Sequence, residues 1–203
     1  MKTIVITGQS GSGKSYLANK LSKIFCNSIV IKTDSYYRDN ILIKLLSILV
    51  YYIYDIPLSI RKNELMNTLK SINQKDRLVS ILRYDFSRKN SSKSKLKIEY
   101  EEDNQFLIIE GIFAHRLKLN YDETINIVCE EEKGICFKRR LKRDQLERGR
   151  DSKEVYKKFD KSWSIFNKHI KKFIMNYNIL LVNPKDQINY NNLLVNLKKQ
   201  KNN

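Results

Sequence analysis

Cysteine is scarce in this chain. Cys26, Cys129 and Cys136 are odd in number and show no C-x-x-C spacing, so neither a disulfide framework nor a catalytic thiol is in view. A reduced, cytoplasmic compartment is expected, and Cys129, closing an apolar run, reads as a core residue. Long apolar runs are missing too. The stretch Ile41 to Tyr54 contains Lys44 and is shorter than the ~20 residues a bilayer span requires, so a buried helix between two strands is expected and a membrane anchor is not. Residues 3–7 already read as a strand, so no signal peptide is expected. Histidine occurs twice, and His115 and His169 read as ordinary surface or helix residues. There are no internal repeats. Acidic residues are outnumbered, 22 Asp and Glu against 39 Lys and Arg, for a formal charge of +17. The lysines are scattered, and Asn, Ile and Tyr are abundant beside them. A solvated basic surface is therefore favoured over a dedicated nucleic-acid face. With 203 residues, one domain with a core that needs no disulfides or metals is the simplest expectation.

Glycine is also rare, six in all, yet three stand within residues 8–13. Residues 8–15 read Gly8-Gln9-Ser10-Gly11-Ser12-Gly13-Lys14-Ser15, the pattern G-x-x-x-x-G-K-S. Glycines let such a loop curl so that several N–H groups face one anion. Lys14 can reach the β- and γ-phosphates of a nucleotide, and the Ser15 hydroxyl can hold Mg²⁺. The flanks agree. Thr3 to Thr7 is a β-branched strand, and Leu17, Leu21, Ile24 and Phe25 recur at helical spacing after the loop.

Further on, strand 28–33 is followed by the apolar helix 41–54 and a helix over 61–73 with Leu65, Met66, Leu69 and Ile72 as its stripe. Arg77 to Asp85 and Leu96 to Tyr100, separated by the polar linker 87–94, predict a β-hairpin within about 77–100. Strands at 106–109, 124–129 and 179–182 and helices over about 134–147, 151–175 and 187–199 complete the chain. Alternating strands and helices predict an α/β fold. It is a three-layer sandwich of the P-loop NTPase kind, with a mainly parallel five-stranded sheet. Ligands in such sheets bind beyond the carboxyl ends of the strands, where the glycine loop, Asp34 and Glu110 all fall.

Chemistry follows from those three positions. Asp34 could accept a proton from an attacking hydroxyl, the general-base role in phosphoryl transfer. Glu110, ending an apolar run, stands where an acid meets Mg²⁺ directly or through water. In the run from Lys138 to Arg150, Arg140, Arg143 and Glu147 share a helix face, with i,i+4 pairs expected for Arg140–Asp144 and Arg143–Glu147. Arg148 and Arg150 flank Gly149, where the helix should end. Such arginines can close as a lid, spanning about 134–160, and neutralise charge on the transferred group.

In order, GQSGSGKS, TDSYYRD, RYDF, IIEGIFA and RRLKRDQLERGRD resemble the motifs of the uridine kinase family of P-loop kinases, which is related to phosphoribulokinase. The resemblance spans residue 3 to about 160. It implies ATP and Mg²⁺ as cosubstrate and metal, with Asp34, Lys14 and Arg143 catalytic. Gly8, Ser10, Gly11, Ser12, Gly13, Lys14, Ser15, Arg148 and Arg150 would bind the ATP phosphates, and Ser15 and Glu110 the metal. Tyr37 would stand beside the sugar, Asp55 on the ribose hydroxyls, Tyr84 and Phe86 at the base and Arg140 at the nucleoside. The implied reaction is phosphorylation of the 5′-hydroxyl of a pyrimidine nucleoside by a soluble protein that forms homo-oligomers in many relatives. Departures fall where the base is read. Lys89 or a neighbour replaces a histidine, Lys158 a glutamine, and Leu58-Ser59-Ile60 follow where the family has further acids and a phenylalanine. Another small alcohol (a sugar phosphate, pantothenate or glycerate) and a non-catalytic nucleotide- or nucleic-acid-binding protein remain the alternatives.

Overall fold

Strand alternation and helix stripes set the architecture. In the computed structural model, which describes residues 1–26, 28–50, 56–101, 106–117, 119 and 124–202, the chain runs β1 (Lys2–Gly8), α1 (Lys14–Ile24), β2 (Ile29–Lys32), α2 (Ile41–Leu49), α3 (Lys62–Asn73), β3 (Leu78–Asp85), β4 (Asn90–Lys97), β5 (Phe106–Gly111), β6 (Thr124–Cys129), α4 (Lys133–Arg148), α5 (Ser152–Asn176), β7 (Ile179–Val182) and α6 (Gln187–Asn202). Five strands form one sheet in the order β2-β5-β1-β6-β7, every neighbouring pair parallel. β3 and β4 form a separate antiparallel ribbon.

The period of two along each strand sorts the core onto two faces. Ile4, Ile6, Ile108, Ile125 and Ile127 pack against Leu17 and Leu21 of α1 and Leu193 and Leu197 of α6. Val5, Ile31, Leu107 and Ile109 face the other way, onto Leu65, Leu69 and Ile72 of α3 and Val79 and Leu82 of β3. Val128 meets Phe166, Ile170 and Phe173 of α5 on that second side. The sheet is thus covered on both faces, as all-parallel sheets must be.

Several expectations need correction. The polar linker 87–94 is mostly strand: β4 begins at Asn90, and the turn is confined to 86–89, with Lys89 at φ 48°. β4 needs no apolar pattern because most of its residues face solvent. The stretch 41–54 is not a buried helix where it is described: Ile41, Leu42 and Leu45 of α2 are exposed and Ile43 is buried, while 51–55 lie outside the described residues. Ile24, expected on the buried stripe of α1, is exposed, whereas Phe25 packs edge-on to Phe106 at 4.9 Å between centroids. Cys129 is a core residue as expected, its thiol pushed up to about 12 by burial. Among the described residues no helix is long and apolar enough to cross a membrane.

His115 is no surface residue. It is buried in a short 3-10 turn (Ala114–Leu117), against Phe173 at 4.8 Å between ring centroids. Burial, then Arg116 and His169, lower its pKa from 6.5 to about 4. A depressed value means that stability is complete above 6.5 and is lost as pH falls towards 4. The expected loss is on the order of 3 kcal/mol. Thermal melts across that window should show it, and His115→Phe should flatten the acid limb.

Candidate active site

Three strand ends build the crevice. β1 stops at Gly8 and the loop swings into α1, with Gly11 at φ 89° and Gly13 at φ 96°. A Cβ on Gly11 would collide with the backbone carbonyl of Cys136 in α4, so the loop lies flush on that helix. Lys14, Ser15 and Tyr16, the first residues of α1, line the crevice, and the free N–H groups of a helix start suit an anion. Lys14 is buried, its Nζ donating to the Gln9 carbonyl at 2.9 Å. The Ser15 hydroxyl donates to Glu110 Oε1 at 2.8 Å.

β2 ends in a 3-10 turn (Thr33–Tyr36) that carries Asp34. A Cβ on Gly111 would strike the Thr33 side chain. Only glycine therefore lets the end of β5 approach this turn and bring Glu110 and Asp34 into one electrostatic neighbourhood. Burial pushes the Glu110 carboxyl up from its ordinary 4.5; Lys14 opposes the rise, Asp34 adds to it and the Ser15 hydroxyl opposes it. Ser15 and Glu110 are hard oxygen donors side by side, a set that fits Mg²⁺ bound by few protein ligands together with phosphate. The raised value has a sign. Stability without metal falls as pH rises above 4.5 and the buried carboxyl ionises, while the ionised form is the one that binds a cation. Stabilisation by Mg²⁺ with ATP is expected to grow with pH, and Glu110→Gln to abolish that growth in melts.

The crevice, about 260 Å³, is lined on one side by Ser10, Gly11, Gly13, Lys14 and Ser15 of the loop. Ser12 is buried beneath it, and a Cβ on Gly8 would meet the Ser12 Oγ at 2.6 Å. Across from the loop stand three aromatic rings. Tyr37 lies 5.5 Å from Tyr84 and 6.0 Å from Phe86, and Tyr84 lies 5.2 Å from Phe86, all edge-on. The Tyr37 hydroxyl donates to Asp34 Oδ1 at 3.3 Å. Asp55 lies outside the described residues.

Arginines from the end of α4 close the third side, gathered on a fully buried Asp144. Arg143 donates to Asp144 Oδ1 through Nη2 at 2.8 Å and Nε at 3.0 Å, and Arg150 to Oδ2 at 2.9 Å. Arg148 and Arg140 pair with the same carboxylate at 3.3 and 3.6 Å. Burial pushes the Asp144 carboxyl up, but Arg143, Arg148 and Arg140 outweigh it and hold it below 3.8. The expected Arg140–Asp144 pair is present, whereas Arg143 turns from Glu147 to Asp144. Gly149 caps α4 at φ 60°, which lets Arg150 fold back.

Two contacts join this cluster to the rest of the site. Arg143 Nη2 reaches Ser10 Oγ at 3.3 Å, and the Arg148 guanidinium lies 4.1 Å from the centre of the Phe86 ring. Arg140 lines the crevice but is almost wholly buried, donating to Ser162 Oγ at 3.0 Å. Sequence reasoning passed over Arg139, which donates to the Gly11 carbonyl at 3.0 Å and pairs with Glu131 at 2.8 Å. Its i,i+4 spacing from Arg143 was the available signal. It also passed over Gln9, whose Nε2 donates to the Trp163 carbonyl at 3.0 Å and ties the loop to α5.

Known proteins resemble this chain. The profile of the Phosphoribulokinase / Uridine kinase family matches residues 3–186. Uridine kinase of Streptococcus mutans is 32% identical over 77% of this chain and 74% of its own, and uridine kinase of Pasteurella multocida 28% identical over 78% and 74%. Among solved structures, D-glycerate 3-kinase of Cryptococcus neoformans superposes with a TM-score of 0.56 at 15% identity, covering 92% of this chain and 87% of that one.

Proposed function

The chain belongs to the phosphoribulokinase/uridine kinase family, kinases that transfer phosphate to an alcohol group, and on that premise we propose that it phosphorylates the 5′-hydroxyl of a pyrimidine nucleoside with ATP and Mg²⁺ in pyrimidine salvage. The family implies ATP as donor. The observation that carries the acceptor is the trio Tyr37, Tyr84 and Phe86 beside Asp34. Aromatic rings next to a carboxylate suit a flat base joined to a sugar hydroxyl. In this reading the chain works as one domain in the cytoplasm, residues 134–160 acting as its lid.

Each side chain then has a task. The N–H groups of residues 8–15, Lys14, Arg148 and Arg150 hold the triphosphate. Asp34 takes the proton of the attacking hydroxyl, and Tyr37, hydrogen-bonded to Asp34, fixes the orientation of that carboxylate. Arg143, bridging Asp144 and Ser10, meets charge developing on the transferred group. Ser15 and Glu110 would hold Mg²⁺, which neutralises phosphate charge when bound. Arg140 and Asp55 are assigned to the nucleoside.

A second reading has its own observation. Eight cationic side chains line the crevice against the carboxylates Asp34 and Glu110, and Lys89 and Lys158 stand among the eight. That excess favours an acceptor with its own anionic group, such as a sugar phosphate or glycerate. A panel of uridine, cytidine, pantothenate, glycerate and ribose 5-phosphate, assayed for acceptor-dependent ADP release, separates the two. Uridine and cytidine are expected to lead. An anionic acceptor ahead of both overturns the nucleoside reading, and ADP from none, with salt-sensitive RNA binding, favours the non-catalytic alternative.

A further inference from the structure

Four guanidinium groups converge on one carboxylate that touches neither side of the reaction. Asp144 is fully buried, behind the arginines rather than in the crevice lining. Without it, the four guanidinium groups would crowd one small space and repel one another. With it, the donors of Arg143 and Arg150 lock onto its oxygens at 2.8–3.0 Å. The arginines it gathers also point in two directions. Arg143 continues to Ser10 of the phosphate loop, and Arg148 continues to Phe86 of the aromatic trio. Ser87, next to Phe86, adds a hydroxyl bond to the Glu147 carbonyl at 3.4 Å.

We propose that Asp144 is a positioning residue for phosphoryl transfer, a buried anchor that sets the lid arginines in register with the phosphate loop and the acceptor slot at once. This rests on the kinase reading of the crevice given above. The role is one of orientation rather than charge. Removing the anchor leaves all four cations present, so the pull on a triphosphate persists while the aim of each guanidinium is lost. A misplacement of about 1 Å at such a group costs about 100-fold in rate.

The test is Asp144→Asn in the full chain with ATP, Mg²⁺ and uridine. Turnover is expected to fall about 100-fold while the Kd for ATP stays within about threefold of the unaltered protein. A carboxylate that merely held the fold would move affinity and turnover together, and that result, or turnover within about threefold, overturns the proposal. A second measurement needs neither folding of the variant nor the right acceptor. In the unaltered protein without nucleotide, the guanidinium N–H resonances that face Asp144, Nε of Arg143 and Nη1 of Arg148 and Arg150, are expected to be separate and protected from exchange. A single averaged arginine signal instead would sink the anchor. Should uridine fail as an acceptor, the nucleoside reading falls, these resonances still decide whether Asp144 holds the arginines, and the turnover test moves to the acceptor that the panel identifies.

Discussion

Asp34→Asn is expected to bind ATP as tightly as the unaltered protein and to turn over about 10²–10⁴-fold more slowly. The amide keeps the size of the side chain and can still accept from the Tyr37 hydroxyl, the contact seen at 3.3 Å. It cannot take a proton from an incoming alcohol. The 3-10 turn that carries it is held by the close approach of Gly111 to Thr33, neither of which the substitution touches. The loss therefore belongs in kcat, with the Kd for ATP, measured by isothermal titration, unmoved. Turnover within a few-fold of the unaltered protein would remove Asp34 from the role of base.

Lys14→Ala should instead weaken the nucleotide itself. A charge-assisted contact to phosphate contributes about 1.5–3 kcal/mol, or about 10- to 100-fold in affinity. Turnover should fall further, by about 10²–10³-fold, because the same ammonium meets charge that develops in the transition state. Lys14 is buried and donates to the Gln9 carbonyl, so the variant also removes one of that acceptor's two bonds, leaving the Ser12 N–H at 3.1 Å as its partner. Unchanged ATP affinity in the titration would contradict the assignment. The two variants thus differ in their signature, Asp34→Asn losing turnover alone and Lys14→Ala losing affinity and turnover together.

Much of this arrangement is legible in the sequence. Residues 8–15 announced the loop because glycine is rare elsewhere in the chain and common there. Glu110 stood out because an acid ends a run of four apolar residues, and β5 places it at a strand end as that pattern requires. What stayed hidden was what depends on distant partners. Asp144 looks like one more charge on a solvated helix, and nothing local tells that Arg148 and Arg150 fold back over Gly149 to meet it. Arg140, assigned to the nucleoside, is tied to Asp144 and Ser162 as well as lining the crevice. The exposure of Ile41, Leu42 and Leu45 was equally invisible, since an apolar run does not say whether anything covers it.

β4 was misread because Asn90 to Lys97 is built of serine, lysine and asparagine with a single leucine. Among the described residues β4 pairs with no strand but β3, and although the Ser91 N–H donates to Asp39 Oδ2 at 2.8 Å, the edge of a two-stranded ribbon offers backbone donors and acceptors that invite strands from other molecules. Lysines at 93, 95 and 97 make that invitation costly, since a second copy docking there would set like charges against each other. The poverty of apolar side chains that concealed this strand thus disfavours strand-to-strand pairing along this edge, which lets the aromatic tip of the ribbon stay beside the crevice in a crowded solution.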